Sequence, residues 1–128
     1  MHFGEHLTID GYDGNSKKLG DKELVSSCLT ELPRLLGMKT LISPVVAWAE
    51  PNGKKDPGGW SGFVVIAESH ISIHTFPGRG FLSADVYTCQ NGLDTAKIIS
   101  YFRDTFGLLD VEEHFIKRGT RYPTSDIS

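Results

Sequence analysis

Cysteine is scarce in this chain of 128 residues: Cys28 and Cys89 are the two present, and they are not spaced as C-x-x-C. They make neither a zinc ribbon nor a thioredoxin-type redox pair. Basic charge is not in excess either. Thirteen Lys and Arg face 16 Asp and Glu, for a formal net charge of −3. The basic face that nucleic acid or an anionic membrane requires is therefore lacking. No apolar run reaches the roughly 18 residues of a membrane span. The N-terminal MHFGEHLTIDGYDG has no basic-then-apolar signal pattern. These absences predict a cytoplasmic protein with reduced thiols and no nucleic-acid or membrane partner.

What is present suits one globular domain, 1–128. Apolar residues make up 39% and charged residues 23%, enough for a core and a charged surface. HFGEHLTIDGY alternates as a first strand. DKELVSSCLTELPRLLG places Leu24, Cys28, Leu32 and Leu35 at helical spacing, with Asp21 as N-cap, Pro33 in the last turn and Gly37 as the stop. KTLISPVVAWAE reads as a second strand, followed by the polar loop EPNGKKDPGGW at 50–60. SGFVVIAE, HISIHTF and FLSADVYTC read as three more strands. LDTAKIISYFRDTFG is a second amphipathic helix, with Ile98, Ile99, Phe102 and Phe106 on its apolar stripe. LLDVEEHFIKR is a final strand and GTRYPTSDIS a tail.

This order predicts an α+β fold, a largely antiparallel sheet with two helices on one face. The other face would then expose a large apolar patch. Pairing of two copies into a four-layer α/β/β/α homodimer is the expected remedy.

The chemistry concentrates in ESHISIHTFPG, residues 68–78. With period two, His70, Ser72 and His74 share one face, and Ser69, Ile71 and Ile73 the other. A zinc site from His70, His74 and Cys89 fails on reach. Residues four apart on a strand are about 13 Å apart, against roughly 2 Å per metal ligand. A serine hydrolase would need Gly-x-Ser-x-Gly at a strand-to-helix elbow, which is missing. A half-buried strand with hydrogen-bonded histidines would explain each residue taken singly.

The joint spacing is more specific. Glu68-Ser69 is followed by His74, five residues beyond the serine, and by Cys89, twenty beyond it; Ser61-Gly62 precedes it. With GEHL at 4–7, DVYTC at 85–89 and Arg118-Gly119, this pattern resembles the prokaryotic S-adenosylmethionine decarboxylase family across nearly the whole chain. The resemblance implies a proenzyme that cuts itself between Glu68 and Ser69 into a β-chain of 1–68 and an α-chain of 69–128. In that step the Ser69 hydroxyl attacks the Glu68 carbonyl, and the acyl group moves from nitrogen to oxygen. Removal of the Ser69 α-proton then expels the Glu68 carboxylate, and loss of ammonia from the resulting dehydroalanine leaves a pyruvoyl group. By resemblance His74 is the base of the elimination and Ser61 supports the acyl shift.

The pyruvoyl implied is the cofactor of decarboxylation: it forms a Schiff base with the substrate amine and accepts the electrons left by CO2. Cys89 is implied as the acid that protonates the product carbon; a thiol with reference pKa about 8.5 is mostly protonated at neutral pH. No metal is implied. Strict alternation puts Ser69 and His74 on opposite faces, so this reading requires a bend or bulge near Ser69, with strain in the scissile peptide.

The implied substrate is S-adenosylmethionine, in polyamine biosynthesis. Against the commoner family pattern HTWPE, however, this chain has Phe76 for the tryptophan and Gly78 for the glutamate that grips the ribose. That loss is worth roughly 1.5–3 kcal/mol. Some relatives decarboxylate L-arginine or L-ornithine instead, and a basic substrate would use a carboxylate such as Asp10 or Glu5. Trp48, Phe76, Glu68 and Asp10 are the candidate substrate contacts. A non-processing partner subunit is the remaining alternative.

Overall fold

The structure, a computed structural model, describes residues 2–55 and 57–127. Its elements are β1 (Gly4–Tyr12), α1 (Ser16–Leu19), α2 (Lys22–Leu35), β2 (Val45–Ala49), β3 (Gly59–Ile66), β4 (Ser69–Phe76), β5 (Phe81–Thr88), α3 (Thr95–Phe106) and β6 (Asp110–Arg118). The strands form one six-stranded sheet in the order β2-β3-β4-β5-β1-β6. Every pairing is antiparallel. No helix among the described residues is long and apolar enough to cross a membrane.

Alternation along the central strands builds the core. Leu7, Ile9, Val64, Ile66, Ile71, Ile73, Leu82 and Val86 point to one side. There they meet Val25, Cys28, Leu29 and Leu32 of α2 and Ile98, Phe102 and Phe106 of α3. Both long helices begin on an aspartate cap: Asp21, as expected, accepts from the Leu24 amide at 3.2 Å, and Asp94 from the Lys97 amide at 3.1 Å. Gly107 closes α3 with φ of 65°, a left-handed turn that glycine adopts without Cβ strain.

Three expectations change. A third helix, the short α1, forms because Asn15 caps it, accepting from Lys18 N at 3.0 Å, and Leu19 enters the core. The second strand is only Val45–Ala49; upstream, Thr40 touches Ile66 as an isolated bridge, and Pro44, without an amide proton, precedes the paired segment. The open face of the sheet is not mainly apolar. His6, Thr8, Asp10, Ser72, Ser83 and Asp85 occupy its centre, while Tyr12, Phe63, Phe76, Phe81 and Ile116 lie around them.

Gly59 opens β3 against β4, where any Cβ would overlap the Thr75 carbonyl oxygen. The backbone there cannot yield without breaking the bond from Trp60 N to Thr75 Oγ1 at 3.1 Å. Gly59→Ala should destabilise the fold by about 1–3 kcal/mol, read as a lower urea midpoint with an unchanged slope.

Candidate active site

The turn joining β3 to β4 is two residues long, because Ile66 pairs directly with Ser69. Of those two, Glu68 alone has positive φ, at 60°. A glutamate held there stores about 1–2 kcal/mol of backbone strain, since its Cβ crowds the following carbonyl. The strain expected near the Glu68–Ser69 peptide therefore exists, but as a left-handed turn residue and not as a bulge. Pairing of β4 with β3 runs without interruption from Ser69 to His74. Ser69 is nearly buried on the helix side, and its Oγ accepts from the Cys89 amide at 3.0 Å. Cys89 Sγ lies 3.9 Å from the Ala67 carbonyl oxygen. Glu68, Ser69 and Cys89 thus come together at one end of the sheet.

A second group gathers elsewhere. Ser61 and His74 are cross-strand partners, with Ser61 Oγ 2.9 Å from His74 Nδ1. They lie on the open face, opposite Ser69, and five residues of strand separate His74 from Ser69 by roughly 16 Å. Beside them is a cavity of about 650 Å³ lined by His74, Phe76, Phe81, Tyr12 and Ser83, with Lys55, Asn52 and Arg79 at the loops. The Phe76 and Phe81 rings pack at a tilt of 41°, with centroids 5.5 Å apart. None of these lining groups is a carboxylate. Asp10 is on the same face as its cross-strand partner Ser83.

Gly78 lies in the turn after β4, where a Cβ would make only ordinary contact with Pro57, at 3.6 Å. Trp48 is not gathered into this group. It packs edge-on against Trp60 at 4.9 Å on the helix side of the sheet.

Sequence reasoning passed over a third cluster. Arg118 donates to His6 Nδ1 at 3.0 Å, and His6 Nε2 lies 3.1 Å from Asp85 Oδ2. Ser72 donates to Asp85 Oδ1 at 2.6 Å, and His70 Nε2 stands 3.9 Å from that oxygen. Arg118 also lies over the Tyr87 ring at 4.9 Å. The matching signal was in GEHL, DVYTC and the terminal Arg-Gly, but only strand pairing shows that these segments meet.

His6, His70 and Asp85 offer ligand-type atoms within 4.8 Å of one another. A guanidinium can only donate, so His6 Nδ1 is an acceptor and the ring proton sits on Nε2, toward Asp85. A metal ion on Nε2 would move that proton to Nδ1, against Arg118. The cluster is a hydrogen-bond relay across β6, β1, β5 and β4.

Glu5, considered as a substrate carboxylate, is already occupied. It is 5% exposed, and Oε1 accepts from Gly92 N and Leu93 N at 3.0 and 2.8 Å. Burial opposes its charge, but the hydrogen bonds from Leu93, His2 and Gly92 outweigh burial and hold its carboxyl below the ordinary value. Cys28 is wholly buried, and that burial pushes its thiol up to about 12. Cys89 is only partly buried.

The sequence profile of S-adenosylmethionine decarboxylase matches residues 5–119. The chain is 34% identical over 118 residues to the S-adenosylmethionine decarboxylase proenzyme of Clostridium botulinum (strain Langeland), covering 92% of this chain and 96% of that protein. It is 32% identical over 117 residues to the corresponding proenzyme of Pyrococcus abyssi (strain GE5), covering 91% and 79%. The crystal structure of the adenosylmethionine decarboxylase from Aquifex aeolicus VF5 shares the fold, with a TM-score of 0.80 over 98% of both chains at 24% identity. With the profile spanning almost all of the sequence and relatives above 30% identity aligned nearly end to end, the chain belongs to the S-adenosylmethionine decarboxylase family.

Proposed function

We propose that the chain cleaves itself between Glu68 and Ser69 and then decarboxylates S-adenosylmethionine through a pyruvoyl group at position 69. The observation that carries this reading is the left-handed Glu68 followed by a Ser69 hydroxyl held on the Cys89 amide. The strain raises the energy of the intact peptide, and the amide hydrogen bond fixes the nucleophilic oxygen beside the bond it attacks. The same N–H is a suitable donor to a carbonyl at residue 69, so the residues present fit the group. That group supplies a carbonyl that condenses with the substrate amine and takes up the electrons released with CO2. Cys89 holds a proton on Sγ at this end of the sheet for delivery to the product carbon.

His74 and Ser61 cannot serve the Ser69 of their own chain over roughly 16 Å and from the opposite face. A second copy whose open face reaches over the exposed Glu68 turn at the end of the sheet supplies them in trans, which makes the homodimer part of the active site. The mixed polar and aromatic character of that face suits such an interface. The cavity beside His74 favours S-adenosylmethionine over a dibasic amino acid. Among the described lining residues, ornithine or arginine would meet Lys55 and Arg79 there and no carboxylate. Phe76 and Phe81 offer a platform for adenine.

Denaturing gels should show chains of 68 and 60 residues for the expressed protein and one uncleaved chain for Ser69→Ala. Mass spectrometry should find a blocked pyruvoyl end on the shorter chain; a free serine amine there would mean ordinary proteolysis. Co-expression tests the trans arrangement. His74→Ala and Ser69→Ala, each unprocessed alone, should together yield cleavage of the His74→Ala chain. Complete absence of cleavage in the mixed dimer would assign His74 to its own chain.

Gly78→Glu restores an acceptor for the ribose hydroxyls without a backbone clash. It should tighten S-adenosylmethionine binding by about tenfold, the equivalent of 1.4 kcal/mol. Methylthioadenosine should compete in both proteins. CO2 release from ornithine or arginine without competition by methylthioadenosine would replace the substrate assignment.

A further inference from the structure

Cys89 opens the segment from β5 to α3, and beyond the contacts of Cys89 itself three fastenings hold that segment among the described residues. Gln90 N donates to Thr88 Oγ1 at 3.0 Å. Asp94 caps α3 through the Lys97 amide. Between them, Gly92 N and Leu93 N converge on a single oxygen, Oε1 of Glu5, from a strand 87 and 88 residues away in sequence. Glu5 is the cross-strand partner of Thr88, the residue immediately before Cys89. Its second oxygen lies 3.1 Å from His2 Nε2.

A buried carboxylate is expensive unless its lone pairs are used. Here they are used, and on the backbone of one particular segment. Hydrogen bonds to an ionised acceptor are roughly twice as strong as neutral ones. Of the three fastenings, this is the one that is buried and charge-assisted and reaches across the fold. The segment it holds is the one whose first residue donates its amide to Ser69 Oγ and carries its thiol toward the Ala67 carbonyl.

We propose that Glu5 is a positioning residue for Cys89, clamping the Gly92 and Leu93 amides so that the thiol keeps its place beside the Ala67 carbonyl, at the turn that leads into residue 69. The consequence for proton delivery rests on the function proposed above; the clamp itself rests on geometry alone. After CO2 leaves, a proton placed on the substrate carbon gives the normal amine product. A proton placed instead on the carbon of residue 69 ends, after addition of water, with the substrate released as an aldehyde. Its nitrogen stays behind, and residue 69 becomes alanine. A wandering Cys89 thiol shifts the outcome toward the second route.

The test is alkylation of the folded protein with iodoacetamide, followed by peptide mass analysis, for the parent, Glu5→Ala and Glu5→Gln. Cys28, buried and with its thiol pushed up to about 12, is an internal control for global opening. Glu5→Ala should label Cys89 on the order of tenfold faster while Cys28 stays silent, because two charge-assisted bonds no longer oppose local opening. Glu5→Gln keeps an amide oxygen for the same donors and should fall between. During turnover of S-adenosylmethionine, alanine at residue 69 should accumulate in the order Ala, Gln, parent.

Unchanged Cys89 labelling in Glu5→Ala with Cys28 silent would overturn the clamp. Faster labelling with normal turnover and no extra alanine would overturn its role in proton delivery. If Glu5→Ala labels Cys28 as well, the fold has opened and Glu5→Gln decides by the same criteria. Labelling reads the clamp even in an uncleaved chain, so failure of self-processing and failure of this inference remain separate results.

Discussion

Uninterrupted antiparallel pairing of β4 is the constraint on which the rest depends. Its register with β3 and with β5 runs without a bulge. Every side chain on it is therefore committed to one face or the other. Ser69, Ile71, Ile73 and Thr75 are buried toward the helices, while His70, Ser72, His74 and Phe76 face outward. Slipping β4 by one residue would expose Ile71 and Ile73, and the hydrophobic cost of that exposure is what holds the chemistry in place. The core thereby separates Ser69 from His74.

The two ends of this strand solve different problems. At the Ser69 end the tight turn places a glutamate where glycine would sit at ease. Fold stability tolerates that cost because the hydrophobic strands on either side determine the turn. At the other end His74 stands beside an open cavity. Ser61, directly across the pair, orients it with a single hydrogen bond. The strand's geometry thus keeps the two groups apart, on opposite faces of the sheet.

The polar centre of the open face belongs to the same logic. His6, Asp85 and Ser72 satisfy one another on adjacent strands, and Arg118 closes the chain of hydrogen bonds from the edge. Such a network specifies geometry more than it adds stability, because each partner has given up water to join it. On the opposite side of the sheet, Glu5 does comparable work for the loop that carries Cys89.

The sequence alone determined features that depend on near neighbours. The long helices, the Asp21 cap, the alternation of β4 and the helix-side core follow from periods and end signals within a few residues. The spacing of Glu68, Ser69, His74 and Cys89 was specific enough to point to the family. Tertiary structure decided what depends on residues far apart in the chain. Sequence could not show that Glu5 is occupied by Gly92 and Leu93, that His6 meets Asp85, or that Trp48 lies behind the sheet instead of in the cavity. It also could not show that the open face is polar at its centre, because that depends on which strands become neighbours. Periodicity assigns each residue to a face of its own strand, whereas strand order and register, set by burial of the whole core, decide which residues share that face.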